Sequence, residues 1–170
     1  MPLTKSSEHL AEITGYTGDG AGVARIDGQV VFIPGTITGE LCRVKILKVN
    51  RTVAYGRLLS VERASEHRIA PDCPAYPKCG GCAYRHMDYE AELSLKAARV
   101  RDALNRLGGE SLEAVPILGA AVQTCYRNKA QYPVAMEGGK AVAGFFQAGT
   151  HRVIPVDRCA ILPPEMDRVK

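Results

Sequence analysis

The sequence predicts a mainly β (α+β) protein: a five-stranded OB-like barrel, then a cysteine loop, one amphipathic helix and a small β domain. Three observations carry that prediction. Five short strand-like segments, separated by turn signals, fall within about 55 residues of the N-terminal part. Apolar residues then recur at helical spacing over one long stretch ending at Gly108-Gly109. Beyond it, alternation with period two returns. A chain of 170 residues holds one sizeable domain or two small ones. The expected division is 1–65 for the barrel and 66–170 for the cysteine loop and β domain.

The barrel elements follow in order. His9 to Tyr16 reads as a first strand and Gly22 to Ile26 as a second. Asp27-Gly28 is a strong two-residue hairpin signal, across which Gln29 to Ile33 pairs back. Pro34-Gly35 closes that strand, and Glu40–Asn50 and Val53–Glu62 read as two longer ones. Gly18 to Gly22 is glycine-rich, but a dinucleotide loop must open a helix. These glycines run into a strand, so they are expected to form a turn.

Charge is placed unevenly. The net charge of +4 is mild, so its distribution decides more than its total. Between Leu41 and Val61 lie Arg43, Lys45, Lys48, Arg51 and Arg57, with no Asp or Glu. Arg43 and Lys45 alternate with Val44 and Ile46, giving a basic outer face over an apolar inner one. Tyr55 lies within this stripe, where it can stack a base. A barrel with such a stripe points to RNA or DNA rather than to a merely solvated strand face. No apolar run approaches the length of a membrane span.

The cysteine loop runs from Cys73 to Cys82, with three thiols at spacing C-x5-C-x2-C and two adjacent glycines. Cys159 is the distant candidate for a fourth ligand. Three near ligands and one remote one suit an iron–sulfur cluster. Zinc remains a rival, although it usually takes two C-x2-C pairs and only Cys79 and Cys82 form one. Disulfides are a third reading, disfavoured because Met1 to Lys5 opens the chain without an apolar signal core. Cys42 and Cys125 sit in apolar, strand-like segments and are expected to be buried free thiols.

Asp88 is placed to cap a helix whose apolar positions are Tyr89, Leu93, Val100, Leu104 and Leu107. That helix is expected to pack on its own domain. His86, four residues after Cys82, is read as a non-ligand because four cysteines suffice. Alternation from Ala130 to Met136, a turn at Glu137-Gly138-Gly139, a strand from Lys140 to Gln147 and another from Arg152 to Val156 make the last β segment. Pro133 is expected at an edge or bulge. Arg127 and Lys129 stand at its entry as candidate phosphate contacts.

Together these residues resemble the N-terminal part of the S-adenosylmethionine-dependent uridine-C5 methyltransferases of ribosomal RNA, and more loosely their tRNA-modifying relatives. Gly20 to Arg25, Val30 to Gly35 and Gly39-Glu40 are similar to that family's TRAM domain, an RNA-binding OB-like barrel. Cys73, Cys79, Gly80, Gly81 and Cys82 match its cluster loop. His86, Tyr89, Leu93 and Lys96 match the following helix. Tyr126 to Lys129 and Gly144 to Phe146 match its central β domain, and Cys159 its fourth cluster cysteine. Arg85 stands where the resemblance leads one to expect an amide side chain. The resemblance implies a 4Fe–4S cluster held by Cys73, Cys79, Cys82 and Cys159.

Family members continue into a Rossmann-like domain that holds S-adenosylmethionine and the catalytic residues. This sequence ends at Lys170, before that domain is expected to begin. Uracil C5 is a poor nucleophile. A cysteine must add to C6 before C5 can take the methyl group, and a base must then remove the C5 proton. Neither Cys42 nor Cys125 matches the catalytic motif, so no catalytic residue is expected within 1–170. The expected function is the RNA-binding, cluster-bearing part of a 23S rRNA (uracil-C5)-methyltransferase, acting as a cytoplasmic monomer. Binding to tRNA is a lesser expectation. The alternatives are a stand-alone iron–sulfur or zinc RNA-binding module and, more weakly, an electron carrier.

Overall fold

The computed structural model describes residues 3–168; the chain ends at Met1, Pro2, Val169 and Lys170 lie outside the described residues. Two compact units are discontinuous in sequence. One takes the chain up to Ala70 together with His86–Val115; the other takes Pro71–Arg85 and the chain from Pro116 onward. A linear cut after residue 65 therefore isolates the barrel strands, whereas the compact unit around them also includes residues 66–70 and 86–115.

In the first unit, β1 (Glu8–Tyr16), β2 (Gly22–Ile26), β3 (Gln29–Ile33), β4 (Leu41–Val49) and β5 (Val53–Arg63) close into a barrel of order β1-β2-β3-β5-β4. The β4 strand returns to β1, with Ala11 opposite Cys42. The β3 and β5 strands run parallel, and the other pairs are antiparallel. This is the OB-like arrangement expected. Asp27 and Gly28 both take positive φ, 47° and 81°, as a tight hairpin turn requires. Alternation does the rest: Ile13, Ala24, Val31, Ile33, Val44, Ile46 and Ala54 fill the interior, while Arg25, Arg43, Tyr55 and Arg57 face outward. Cys42 is part of this core and, as expected, a buried free thiol. Burial and the nearby Glu40 carboxylate push it up to about 12. Gly18 to Gly20 turn the chain into β2, as expected. A methyl on Gly22 would fall 1.9 Å from Thr36 Oγ1, so only glycine fits where β2 crosses the β3 exit.

The exit of β3 is sealed by a buried ion pair. Glu40 is fully buried, and its carboxylate accepts from Arg68 Nε at 2.5 Å and Nη2 at 2.6 Å. It also accepts from the Ile37 and Ser65 backbone N–H groups. Arg68 Nη2 donates to the Gly35 carbonyl as well. His86 is 2% exposed, and one ring nitrogen lies 3.3 Å from the Thr36 carbonyl. Two contacts, an Arg68–Met87 bridge and the Ile69 N–H donating to the His86 carbonyl, hold together the points where the chain leaves for residues 71–85 and returns.

The helix α1 spans Tyr89–Leu107, capped by Asp88, whose side chain accepts from the Ala91 N–H at 2.8 Å. His67 Nδ1 lies 2.8 Å from the same carboxylate. The apolar stripe is only partly covered. The helix expected to pack on its own domain belongs to the barrel's compact unit, but Val100, Leu104 and Leu107 are left 48%, 40% and 89% exposed. Ala91, Glu92, Leu93, Leu95, Ala97 and Ala98 are half-buried, and no residue of the helix is fully buried.

The second unit carries β6 (Val134–Glu137), β7 (Lys140–Phe146) and β8 (Val153–Pro155) in an antiparallel sheet, with a short helix α2 (Pro164–Asp167). The β6 strand begins after Pro133, which stops the ladder from extending back to Ala130. Cys125 does not sit in a strand. It is exposed, with φ 55°, which corrects the buried thiol expected there. No helix among the described residues is long and apolar enough to cross a membrane.

Burial alone would raise the Glu40 carboxyl. The hydrogen bonds from Arg68 and Ile37 and the charge on Arg68 outweigh it and hold the group below the usual carboxylate range. Its stabilising contribution is therefore complete above the ordinary glutamate value of about 4.3 and is lost as pH falls through the lowered one. Glu40→Ala is expected to cost about 3–5 kcal/mol, because it leaves Arg68 unpaired. Urea unfolding of the parent and the variant across acid pH should show this gap closing as the parent's carboxylate protonates.

Candidate metal centre and nucleic-acid face

Cys73, Cys79, Cys82 and Cys159 line one small apolar chamber in the second unit, with Phe145, Val156 and Ile161 in its wall. Backbone bonds shape the loop: Tyr76 N–H donates to Cys73 O, and Cys79 N–H to Ala75 O at 2.8 Å. The loop then docks on the end of β7. Cys79 bridges Gln147, and Gly80 N–H donates to Phe146 O at 3.0 Å. A methyl on Gly80 would sit 2.8 Å from Ala148 N and 2.9 Å from Phe146 O, so this approach requires glycine. Gly81 N–H donates to Cys79 Sγ at 3.4 Å.

Cys159 comes from a segment remote in sequence. Its N–H donates to Asp167 Oδ2 at 3.1 Å, and the other oxygen of Asp167 accepts from Tyr132 O–H. Tyr132 packs on Phe145 with ring centroids 5.1 Å apart. The β7 strand, α2 and the segment holding Cys159 are thus one support. None of the six cysteines is in a disulfide. Burial raises the Cys79 thiol, against the Gly81 N–H and the Arg127 guanidinium. Burial likewise raises Cys82, against the charge of Arg85. Among the described residues, no three His, Cys, Asp or Glu side chains gather closely enough for a single ion. Thiols are the donor type that iron–sulfur clusters and other thiophilic metals take, and two guanidinium groups line the same chamber.

The structure separates the two residues expected at the entry of the β domain. Arg127 turns into the thiol chamber, whereas Lys129 is exposed and is not among the chamber's lining residues. Asp167, Tyr132 and Arg85 had no spacing signal in the sequence, because each acts through a contact remote in the chain or particular to this loop.

The basic stripe lies on the outer face of β4 and β5. Lys45 stands opposite Arg57, and Lys48 opposite Tyr55. Arg51 is exposed at the β4–β5 turn. Arg43 is the exception: its Nε donates to Glu62 at 3.1 Å, which offsets part of its charge. Phe32 lies across from Tyr55 on β3, with rings 5.7 Å apart at 67°. Alternation between the buried Val31 and Ile33 already placed Phe32 on the outer face, but the β3–β5 neighbourhood is parallel and could not be read from turns. Like charges directly opposite one another cost stability unless a partner offsets them, so the Lys45–Arg57 pair suits an anionic ligand.

Residues 2–59, which carry most of the barrel, match the TRAM domain family. The remainder is shared with longer proteins. The chain is 40% identical over 169 residues to an uncharacterized RNA methyltransferase of Halalkalibacterium halodurans, covering 99% of this chain and 37% of the relative. It is 42% identical over 152 residues to one from Bacillus cereus, covering 89% and 33%. It is thus homologous to a segment of proteins named RNA methyltransferase, and spans about a third of their length. The crystal structure of the Pyrococcus abyssi tRNA (uracil-54, C5)-methyltransferase, in complex with S-adenosyl-L-homocysteine, has the same fold over 95% of this chain and 35% of its own. The TM-score is 0.61 at 19% identity.

Gly80→Ala should push the loop off β7. Amide exchange is expected to lose protection at residues 79–82 and 146–148 while the barrel strands keep theirs. Unchanged exchange at residue 80 would show that the glycine is dispensable.

Proposed function

We propose that this chain is the RNA-binding and 4Fe–4S-bearing part of an S-adenosylmethionine-dependent 23S rRNA (uracil-C5)-methyltransferase. The observation that carries the reading is the meeting of Cys73, Cys79, Cys82 and Cys159 in one chamber, in a chain that also holds a TRAM barrel. Four cysteines lining one chamber suit a cluster in which each thiolate binds its own iron. The apolar wall, the Gly81 N–H and the two guanidinium groups suit an anionic, sulfur-rich group. A bound cluster supplies a crosslink between the loop and the Cys159 segment, and an electron-accepting centre if it is redox-active.

Methyl transfer itself needs a nucleophile for uracil C6 and a base for the C5 proton. No residue here is assigned either role. Cys42 is sealed in the barrel and held protonated, the reverse of an activated nucleophile. The proposed work of this chain is to hold RNA. Lys45, Lys48, Arg51 and Arg57 contact phosphates, with Arg43 contributing less because Glu62 holds it. Tyr55, backed by Phe32, stacks a base, and Lys129 extends the contact. Uridine in 23S rRNA is favoured over tRNA on the resemblance drawn from the sequence.

Protein made without oxygen should be brown and carry iron and sulfide approaching four each per chain, the content of a cubane cluster. A colourless folded protein with one zinc would replace the cluster with a zinc site. Lys45→Glu, Lys48→Glu or Arg57→Glu should each weaken binding to a 23S rRNA fragment and shallow the salt dependence by roughly one unit or less. Tyr55→Ala should cost about 1–3 kcal/mol with the salt slope unchanged. Equal affinity for a tRNA competitor would overturn the rRNA preference, and unaltered salt slopes would return the stripe to a solvated face.

A further inference from the structure

Arg85 occupies a singular position. Its Nη1 donates to Asp72 at 2.8 Å, which fixes the guanidinium from the solvent side. Asp72 is 59% exposed, so water screens much of its charge, whereas Arg85 is 17% exposed. The other end points inward. Arg85 lines the thiol chamber, and its buried Nη2 has no acceptor at full hydrogen-bond geometry, although the guanidinium lies near enough to the Cys82 thiol to act on it. A desolvated guanidinium donor is costly to leave unmet, and most such groups in folded proteins have an acceptor. Cys82, three residues earlier, is the neighbouring chamber thiol. The amide that the sequence resemblance leads one to expect at this position would donate a hydrogen bond without adding charge.

We infer that Arg85 is the standing counter-cation of the thiol chamber, oriented by Asp72, with Nη2 reserved for a sulfur of the group the thiols bind. This rests on the cluster reading above. A cluster that accepts an electron becomes more negative, and a fixed cation beside it favours that form. Arg85 therefore raises the reduction potential. It also holds the cluster against loss, because Nη2 donates to sulfur. Arg127 lies beside Cys79, so the two guanidinium groups approach different thiols.

The test is a set of redox titrations on protein reconstituted anaerobically with iron and sulfide. Arg85→Gln should carry the same iron as the parent, titrate at a lower potential, and release iron to a chelator several-fold faster. The shift should persist at 1 M salt, where the Debye length is only about 3 Å, because the charge is buried. Arg85→Lys should recover most of the potential. Asp72→Asn keeps the guanidinium and should not lower the potential. Equal potentials in the parent and Arg85→Gln at equal iron content would overturn the inference and leave the cluster standing. An equal drop in Asp72→Asn would also overturn it, since loop disturbance would then be the cause. Failure of the parent to take up iron and sulfide would overturn both.

Discussion

The contact on which the barrel unit depends is the buried pair between Glu40 and Arg68. A lone carboxylate in this position would be too costly to keep ionised. It is kept because its oxygens receive both nitrogens of Arg68 and two backbone N–H groups. The pair joins the start of β4 to the segment after β5, 28 residues away. Arg68 also grips Gly35, so one side chain holds the β3 exit, the β4 entry and the strand-to-loop junction. The bridge to Met87 and the Ile69–His86 bond follow directly after it. The same anchor that closes the barrel mouth thus fixes the departure and return points of residues 71–85.

Much of this was legible in the sequence, and for physical reasons. The β2 and β3 strands were bounded correctly because Asp27-Gly28 admits only a tight turn and alternation fixes which side chains enter the core. The N-cap at Asp88 and the stop at Gly108 were equally local. What escaped was non-local. Glu40 read as the first residue of a charged strand, and nothing near it in sequence announces Arg68. The compact units interleave because a bridge closes the base of the cysteine loop, which no spacing rule foretells. Cys125 looked buried because its neighbours are apolar. Its positive φ takes the residue out of any strand, while its N–H still reaches the Ala160 carbonyl.

The site was legible in composition more than in support. The four cysteines were named from spacing and one remote candidate, and they do line a common chamber. Their supports were not visible: Asp167 holds the Cys159 backbone, and Gly80 is required by the approach of Phe146 and Ala148. Such residues act by geometry, and geometry between distant segments is the part of a sequence that periodicity does not encode. Arg127 shows the converse. Its charge suggested phosphate, and the fold places it in the lining of the thiol chamber, near enough to Cys79 to act on that thiol.

The cations of this chain therefore divide into two populations with different physics. Arg85 and Arg127 line the thiol chamber, where, on the proposed reading, salt screens weakly and a single charge changes the properties of the bound cluster. Lys45, Lys48, Arg51 and Arg57 lie on an open barrel face, where each contributes little alone and ionic strength decides the sum. On the proposed reading, the open face holds RNA by its phosphates and reads little of its sequence, because phosphate contacts position a nucleic acid without specifying it. Tyr55 and Phe32 add a stacking surface that accepts any base. Selection of one uridine must then come from RNA shape and from contacts outside this basic face. The barrel contributes grip, and a lysine-for-arginine exchange along the stripe keeps the charge that supplies it.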